Sequence, residues 1–273
     1  MKDLQLYEIQ PELKNRFSVK LLHQVGSPGY RLTPHWHENM ELLFCIRGGG
    51  RFFCDDRHFD ATAGDLVVVN STEVHTFHST SGIEFFALIL YPSFFEDVDF
   101  QDLRIQSHVI QDDFVKDCFF RLQEAKEHQK VGWDMLMKSH AYQLFAHLLS
   151  RYAANVPTKT ELEEQEAKLR RLDTVFRYIS KHYTEPIYIS ELARLCYLSD
   201  GYFCRFFKKA TGRTANDYIT EYRVEQATYL LKNTDSSVSE VATKTGFDDS
   251  AYFARACRRI TGMSPTEYRK QSV

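Results

Sequence analysis

Roughly the last hundred residues of this chain hold one segment twice, the second copy about fifty positions after the first. Ser190-Glu191-Leu192-Ala193 recurs as Ser239-Glu240-Val241-Ala242. Phe203, Arg205, Lys208, Lys209, Thr211 and Gly212 recur as Phe253, Arg255, Arg258, Arg259, Thr261 and Gly262, and Tyr218 recurs as Tyr268. One extra residue in the second copy separates its small-residue helix from its basic helix. Content of this kind predicts two helix-turn-helix units, each a short capped helix, a tight turn, and a helix with Arg and Lys on one face. Such a pair is built to bind DNA.

The charge distribution agrees. The formal net charge of −3 hides a split: up to Glu166 there are 16 Lys and Arg against 25 Asp and Glu, and from Ala167 onward 18 against 12. The basic half is the repeated half, the footprint expected of phosphate contact. A length of 273 residues suggests about two domains. The six cysteines (Cys45, Cys54, Cys118, Cys196, Cys204 and Cys257) show no C-x-x-C spacing and read as reduced, mostly structural thiols. The N-terminus does not read as a signal peptide, and no apolar run approaches the ~20 residues that span a bilayer. The expectation is a cytoplasmic protein without a membrane partner.

Short apolar runs at 41–46, 51–54, 66–69 and 83–90 predict strands, punctuated by Gly48-Gly49-Gly50, Asp55-Asp56 and Ala63-Gly64-Asp65 as hairpin material. Together they predict a small antiparallel barrel or sandwich. Amphipathic spacing then predicts helices at 114–127 and 133–152, the second with Leu136, His140, Leu144, His147 and Leu148 on one face. The polar, acidic stretch 155–166 reads as a linker. A helix at 169–182 follows, with Leu169, Leu172, Val175, Phe176 and Ile179 inward.

In the first repeat unit Ser190 is placed to cap a helix ending near Cys196, and Ser199 to cap the next. There Phe203, Phe206 and Phe207 are expected in the core. Gly201, Cys204, Arg205 and Lys208 then share the face that a major groove would meet. Arg205 suits guanine, whose two acceptors match a forked guanidinium, while Lys208 and Lys209 suit phosphates. The same reasoning in the second unit gives Ser250, Ala251, Ala254 and Arg255 to the groove, with Arg258 and Arg259 beside the backbone. Between the units, 215–232 reads as one helix of roughly 27 Å at ~1.5 Å per residue. That approaches the ~34 Å between successive major-groove faces.

Gly246-Phe247, Tyr252-Phe253, Arg255, Gly262, Ser264-Pro265 and Tyr268-Arg269 resemble the signature of the AraC/XylS family of bacterial transcription regulators. The resemblance runs from about Leu169 to Arg269. Two residues depart from it: Ala251 stands where the family often has Ser, and Cys257 where it usually has Phe.

In the N-terminal half, Gly29, His35, His37, Glu41 and Gly48, followed by Gly64 and His75, form the informative constellation. His35 and His37 lie two apart on an extended segment and Glu41 four further on, so all three share a face. His75 comes from a strand able to pair alongside. Three imidazoles and a carboxylate suit a divalent transition metal. The spacing resembles the first cupin motif throughout and the second in part, with Asn70 where Pro is usual and Ser79 where Asn is usual. Cupin-like barrels are the usual sensor of AraC-family regulators, which implies a small effector, often a sugar. The histidines therefore contact either the hydroxyls of a ligand or a metal, or else pack the barrel mouth. Trp36 and Phe77 offer aromatic faces that suit a pyranose or fill a core.

The fold expected is α+β: a cupin-like ligand-binding barrel over 1–100, a helical connector for dimerisation over 101–155, a linker over 156–167, and an all-α double helix-turn-helix domain over 168–273. The expected function is a ligand-responsive, sequence-specific transcription regulator acting as an activator, with a sugar or other small polar metabolite as effector. Its partners would be double-stranded operator DNA, the effector, a second copy of the chain and RNA polymerase. No catalytic residue is assigned. Two alternatives stand beside this reading: a metal-dependent cupin enzyme fused to a DNA-binding module, with His35, His37, Glu41 and His75 as ligands, and a constitutive architectural DNA binder.

Overall fold

The computed structural model describes residues 18–95 and 103–270. It divides into two compact units, the first ending at Glu166 and the second beginning at Ala167.

The first unit carries seven strands: β1 (Val19–Gly26), β2 (Met40–Cys54), β3 (Arg57–Thr62), β4 (Leu66–Val69), β5 (His75–His78), β6 (Ile83–Leu90) and β7 (His108–Val109). All pairings are antiparallel, in the order β1-β6-β2-β4-β7, with β3 and β5 added to the far half of β2. The expected closed barrel is instead an open sheet among the described residues, since β1 and β7 end the hydrogen-bonded path without meeting.

The glycine run expected as a hairpin lies inside β2. A Cβ on Gly49 would sit 2.4 Å from the Ala61 carbonyl oxygen, and one on Gly50 would sit 2.7 Å from that of His78. Lacking side chains there, β2 crosses close to its neighbours and passes from pairing with β4 and β6 to pairing with β3 and β5. A register shift between Cys45 and Arg47 marks the bend.

Alternation along β2 serves two cores. Met40, Leu42 and Phe44 face helices, joining residues of α1 (Asp113–His128) and α2 (Trp133–Tyr152). Leu43, Cys45, Phe52 and Cys54 face the interior with Phe77 and Phe85. On α2 the buried stripe is Met137, Ala141, Leu144, Phe145 and Leu148. The expected face is thus turned: Leu136 is exposed and His140 and His147 are half-buried, because Met137, Ala141 and Phe145 complete a three-four stripe with more apolar area. Met135 and Tyr142 are exposed as well.

Asp112 ties the two helices together. It caps α1 by accepting from the amides of Phe114 and Val115, and its other oxygen accepts from His147 and Tyr152 at 2.8 Å.

The second unit is helical, and the helix that leads into it starts before the boundary at Ala167. Helix α3 (Lys159–His182) begins inside the segment expected as a linker, which is therefore helical from Lys159; Thr158 and Glu161 form a reciprocal cap there. It is followed by α4 (Ile189–Leu195), α5 (Asp200–Thr211), α6 (Ala215–Asn233), α7 (Val238–Lys244), α8 (Ser250–Thr261) and α9 (Pro265–Lys270). The N-cap of helix α4 is Tyr188 rather than the expected Ser190, and Glu191 reaches back to accept from the Tyr188 amide. Helix α6 feeds two cores in succession. Tyr218 packs with Phe176 and Phe207, whereas Val224, Ala227 and Leu231 join Phe247, Phe253 and Cys257.

Burial alone would raise the Asp112 carboxyl, but hydrogen bonds from His147, Tyr152 and the Val115 amide hold it at about 2. A pKa below the unfolded value contributes stability that is present above pH ~4 and is lost as pH falls towards ~2. Asp112→Ala should therefore lower stability at pH 7 by about 1–2 kcal/mol. In thermal melts the gap between the variant and the parent protein should shrink as pH falls through that window.

Candidate functional site

The repeat is reproduced in three dimensions. Thr211 Oγ1 donates to the carbonyls of Phe207 and Arg213, and Thr261 Oγ1 to those of Cys257 and Met263. Gly212 and Gly262 end α5 and α8 in the left-handed region. The turns also correspond. Tyr197 and Gly246 occupy the same place, both at positive φ, and the next residue's amide donates to Ala193 or Ala242. Gly246 is constrained further, since a Cβ there would lie 2.3 Å from the Tyr183 carbonyl oxygen.

This scaffold aims α5 and α8 outward. Phe203 and Phe207 are buried under α5, with Phe206 only half-buried, and Phe253, Ala256 and Cys257 are buried under α8. Gly201, Cys204, Arg205, Lys208 and Lys209 are exposed on α5; Ser250, Ala251, Arg255, Arg258 and Arg259 are exposed on α8, where Ala254 is half-buried. Each arginine of the pair has a neighbour that the sequence reading missed. Arg205 lies over the Tyr202 ring at 5.9 Å, and Arg255 lies 3.9 Å from Asp249, the cap of its own helix. The six cysteines are free; Cys204 is exposed and the other five are buried.

The first unit gathers His35, His37, Glu41 and His75. One donor atom from each lies within 4.8 Å of the others, a group well placed for a metal ion among the described residues. Backbone pairing brings His35 opposite His75, and β2 delivers Glu41 from the interior-facing phase. The Nδ1 atoms of His35, His37 and His75 lie 2.9, 3.1 and 3.1 Å from the carbonyl oxygens of Thr33, Asn39 and Glu73. A carbonyl only accepts, so these Nδ1 atoms carry the hydrogens and the Nε2 atoms are directed elsewhere.

At the centre, His37 Nε2 and His75 Nε2 each lie 3.3 Å from Glu41 Oε2. His75 is buried, and Glu41 is a polar group that its Nε2 meets. Burial and the adjacent His35 push the His75 imidazole down to about 4, so it is neutral near pH 7. Burial would raise the Glu41 carboxyl, but the imidazoles of His37 and His75 hold it far below the usual carboxylate range. Lone pairs and a carboxylate converging in a dry site are the donor set of a transition-metal ligand sphere, and ring N–H bonds to carbonyls are its usual support.

Trp36, between the two histidines, is half-buried and on an extended segment points away from them. Phe77 is buried, stacked on Phe52 at 4.8 Å and edge-on to Phe85 at 5.4 Å. It fills the interior core rather than offering a face at a mouth.

Comparison with known proteins matches residues 20–145 to an AraC-like ligand binding domain and residues 192–271 to a helix-turn-helix domain. The chain belongs to the AraC family. This AraC-family regulator is 29% identical to the transcriptional activator RhaR of an Enterobacter species over 257 residues, 87% of each chain. It is 22% identical to the HTH-type regulator YdeC of Bacillus subtilis over 255 residues, 87% of this chain and 86% of the relative. Among solved structures, ToxT of Vibrio cholerae matches 94% of this chain and 98% of its own at 12% identity and a TM-score of 0.46. The two family matches give the regulator a ligand-binding domain and a DNA-binding one. No described helix is long and apolar enough to cross a membrane.

At Gly246, both the positive φ and the Tyr183 carbonyl exclude a side chain. Gly246→Ala should cost about 2 kcal/mol or more, read as a lower melting temperature of the α3–α9 unit.

Proposed function

We propose that this AraC-family regulator reads its operator through the paired faces of α5 and α8 and answers to an effector bound at the histidine cluster. The observation that carries the DNA half is the twin exposed basic surface on a duplicated scaffold. Arg205 and Arg255 reach base edges, while Lys208, Lys209, Arg258 and Arg259 meet phosphates, with Gly201, Cys204, Ser250, Ala251 and Ala254 lining the groove contact. Helix α6, about 28 Å long at ~1.5 Å per residue, spaces the two faces.

Relatives named as transcriptional activators support activation as the output and favour a regulator over a fused enzyme. A homodimer would use the outer face of α2, where Met135, Leu136 and Tyr142 are exposed. The effector is a small polar molecule, such as a sugar, and His35, His37, Glu41 and His75 hold a divalent metal at its site. Support for the metal is the geometry: with the Nδ1 hydrogens held by carbonyls, an Nε2 facing Glu41 needs either a second proton or a cation.

Operator binding tests the first half. Arg205→Ala and Arg255→Ala should each cost about 1–3 kcal/mol of discrimination between operator and scrambled DNA. Lys209→Ala should weaken both sequences alike and lower the salt slope by about one. Equal losses on both sequences for the arginine variants would refute base reading by these residues.

Thermal melting tests the second half. Zn2+ at a hundred times its dissociation constant should add ~2.7 kcal/mol to the folded state. Chelation should reverse the gain, and Glu41→Gln should abolish it. A sugar-induced shift that survives chelation would instead make the histidines hydroxyl partners without a metal.

A further inference from the structure

We propose that the turn at residues 70–73 couples the histidine cluster to helix α3, with Gln165 as the positioning residue on the helix. The proposal rests on the reading of the cluster as the ligand site.

One side of the turn is bonded to the cluster. The Thr72 amide donates to the His37 carbonyl at 3.0 Å, and Ser71 Oγ to the Glu38 carbonyl at 2.7 Å. His75 Nδ1 donates to the Glu73 carbonyl at 3.1 Å. The other side is bonded to α3. Gln165 Nε2 donates to the Thr72 carbonyl at 2.8 Å and to Asp55 Oδ2 at 3.2 Å. Thr72 therefore grips a ligand-bearing segment with its N–H and α3 with its C=O. Displacement of His37 towards a bound ion is passed on through the one residue Thr72, and displacement of His75 reaches the same turn at the neighbouring Glu73 carbonyl.

Three features mark the turn as more than a connector. Thr72 is held at φ +66°, a conformation that a β-branched residue rarely adopts and that marks stored strain. Asn70, where the resembled cupin pattern has Pro, pairs its side-chain amide in both directions with the backbone of Ile105, at 2.9 and 3.0 Å. Its own N–H donates to Glu73, whose carboxylate also binds Arg57. Proline has no N–H and no side-chain amide, so it could make none of these bonds. Beside the turn lies an open cleft of about 350 Å³, whose lining includes Arg57, Arg104, Glu161, Leu162 and Gln165. The first turns of α3 have room to shift there, and from Ala167 onward the same helix belongs to the second unit.

The test uses full-length protein with Zn2+ as the probe. Hydrogen exchange is followed at residues 159–166, and Zn2+ affinity is measured by calorimetry. In the parent protein, Zn2+ should slow exchange there fivefold or more, and Glu41→Gln should remove both binding and response. Coupling is reciprocal, so Gln165→Ala should lose the exchange response and bind Zn2+ more weakly by a similar factor. If Zn2+ binds both the parent protein and Gln165→Ala equally, with exchange at 159–166 unchanged, the coupling is refuted and the site stands. If Zn2+ does not bind the parent protein, the metal site falls and this coupling with it.

Discussion

The sensor unit depends on one close approach of backbones. Strand β2 serves two sets of partners because Gly49 and Gly50 let it run against carbonyl oxygens that any Cβ would strike. Without that crossing, Glu41 on its first half and His75 on the partner of its second half would not meet. Everything chemical in this unit follows from the meeting. Four donors from three stretches of chain converge where water is scarce, and each histidine is oriented by a carbonyl of its own backbone neighbourhood.

Low dielectric surroundings then decide how the cluster behaves. A dry site penalises charge, so His75 stays neutral, while Glu41 keeps its charge only because imidazoles adjoin it. Such a site is poorly satisfied by its own atoms. Bringing a cation or a ligand to it also acts on the strand ends and turns that supply the donors.

Much of this was legible in the sequence, and what was not has physical causes. The duplicated helices and their exposed basic faces follow from a repeat in which the same residue types do the same local work, but the caps do not: α4 is capped at Tyr188 and not Ser190, and Ser199 makes no side-chain cap bond to α5. The grouping of His35, His37, Glu41 and His75 follows from period-two alternation. Gly48-Gly49-Gly50 misleads, because glycine marks both turns and close crossings, and only the partner strand distinguishes them. Polar composition hid the start of α3, since Thr158 and Glu161 cap a helix whose first turns have little apolar content. Phe77 shares a strand with His75 but packs in the core, as sequence spacing gives phase and not depth. Thr72 and Gln165 carried no signal of their own; Asn70 did, as a departure from a familiar pattern.

The duplication kept the framework and varied the surface it presents. Thr211 and Thr261 make the same bonds, and Gly212 and Gly262 end their helices alike. On the outward face, however, Gly201 faces Ala251 in the alignment, Cys204 faces Ala254, and Arg205 has a tyrosine beside it where Arg255 has an aspartate. One chain therefore offers two unlike readers in a fixed order along a single helix. If both faces read the duplex as proposed, the two halves of the preferred stretch would differ in sequence, and the order of those halves would follow the order of the two units in the chain.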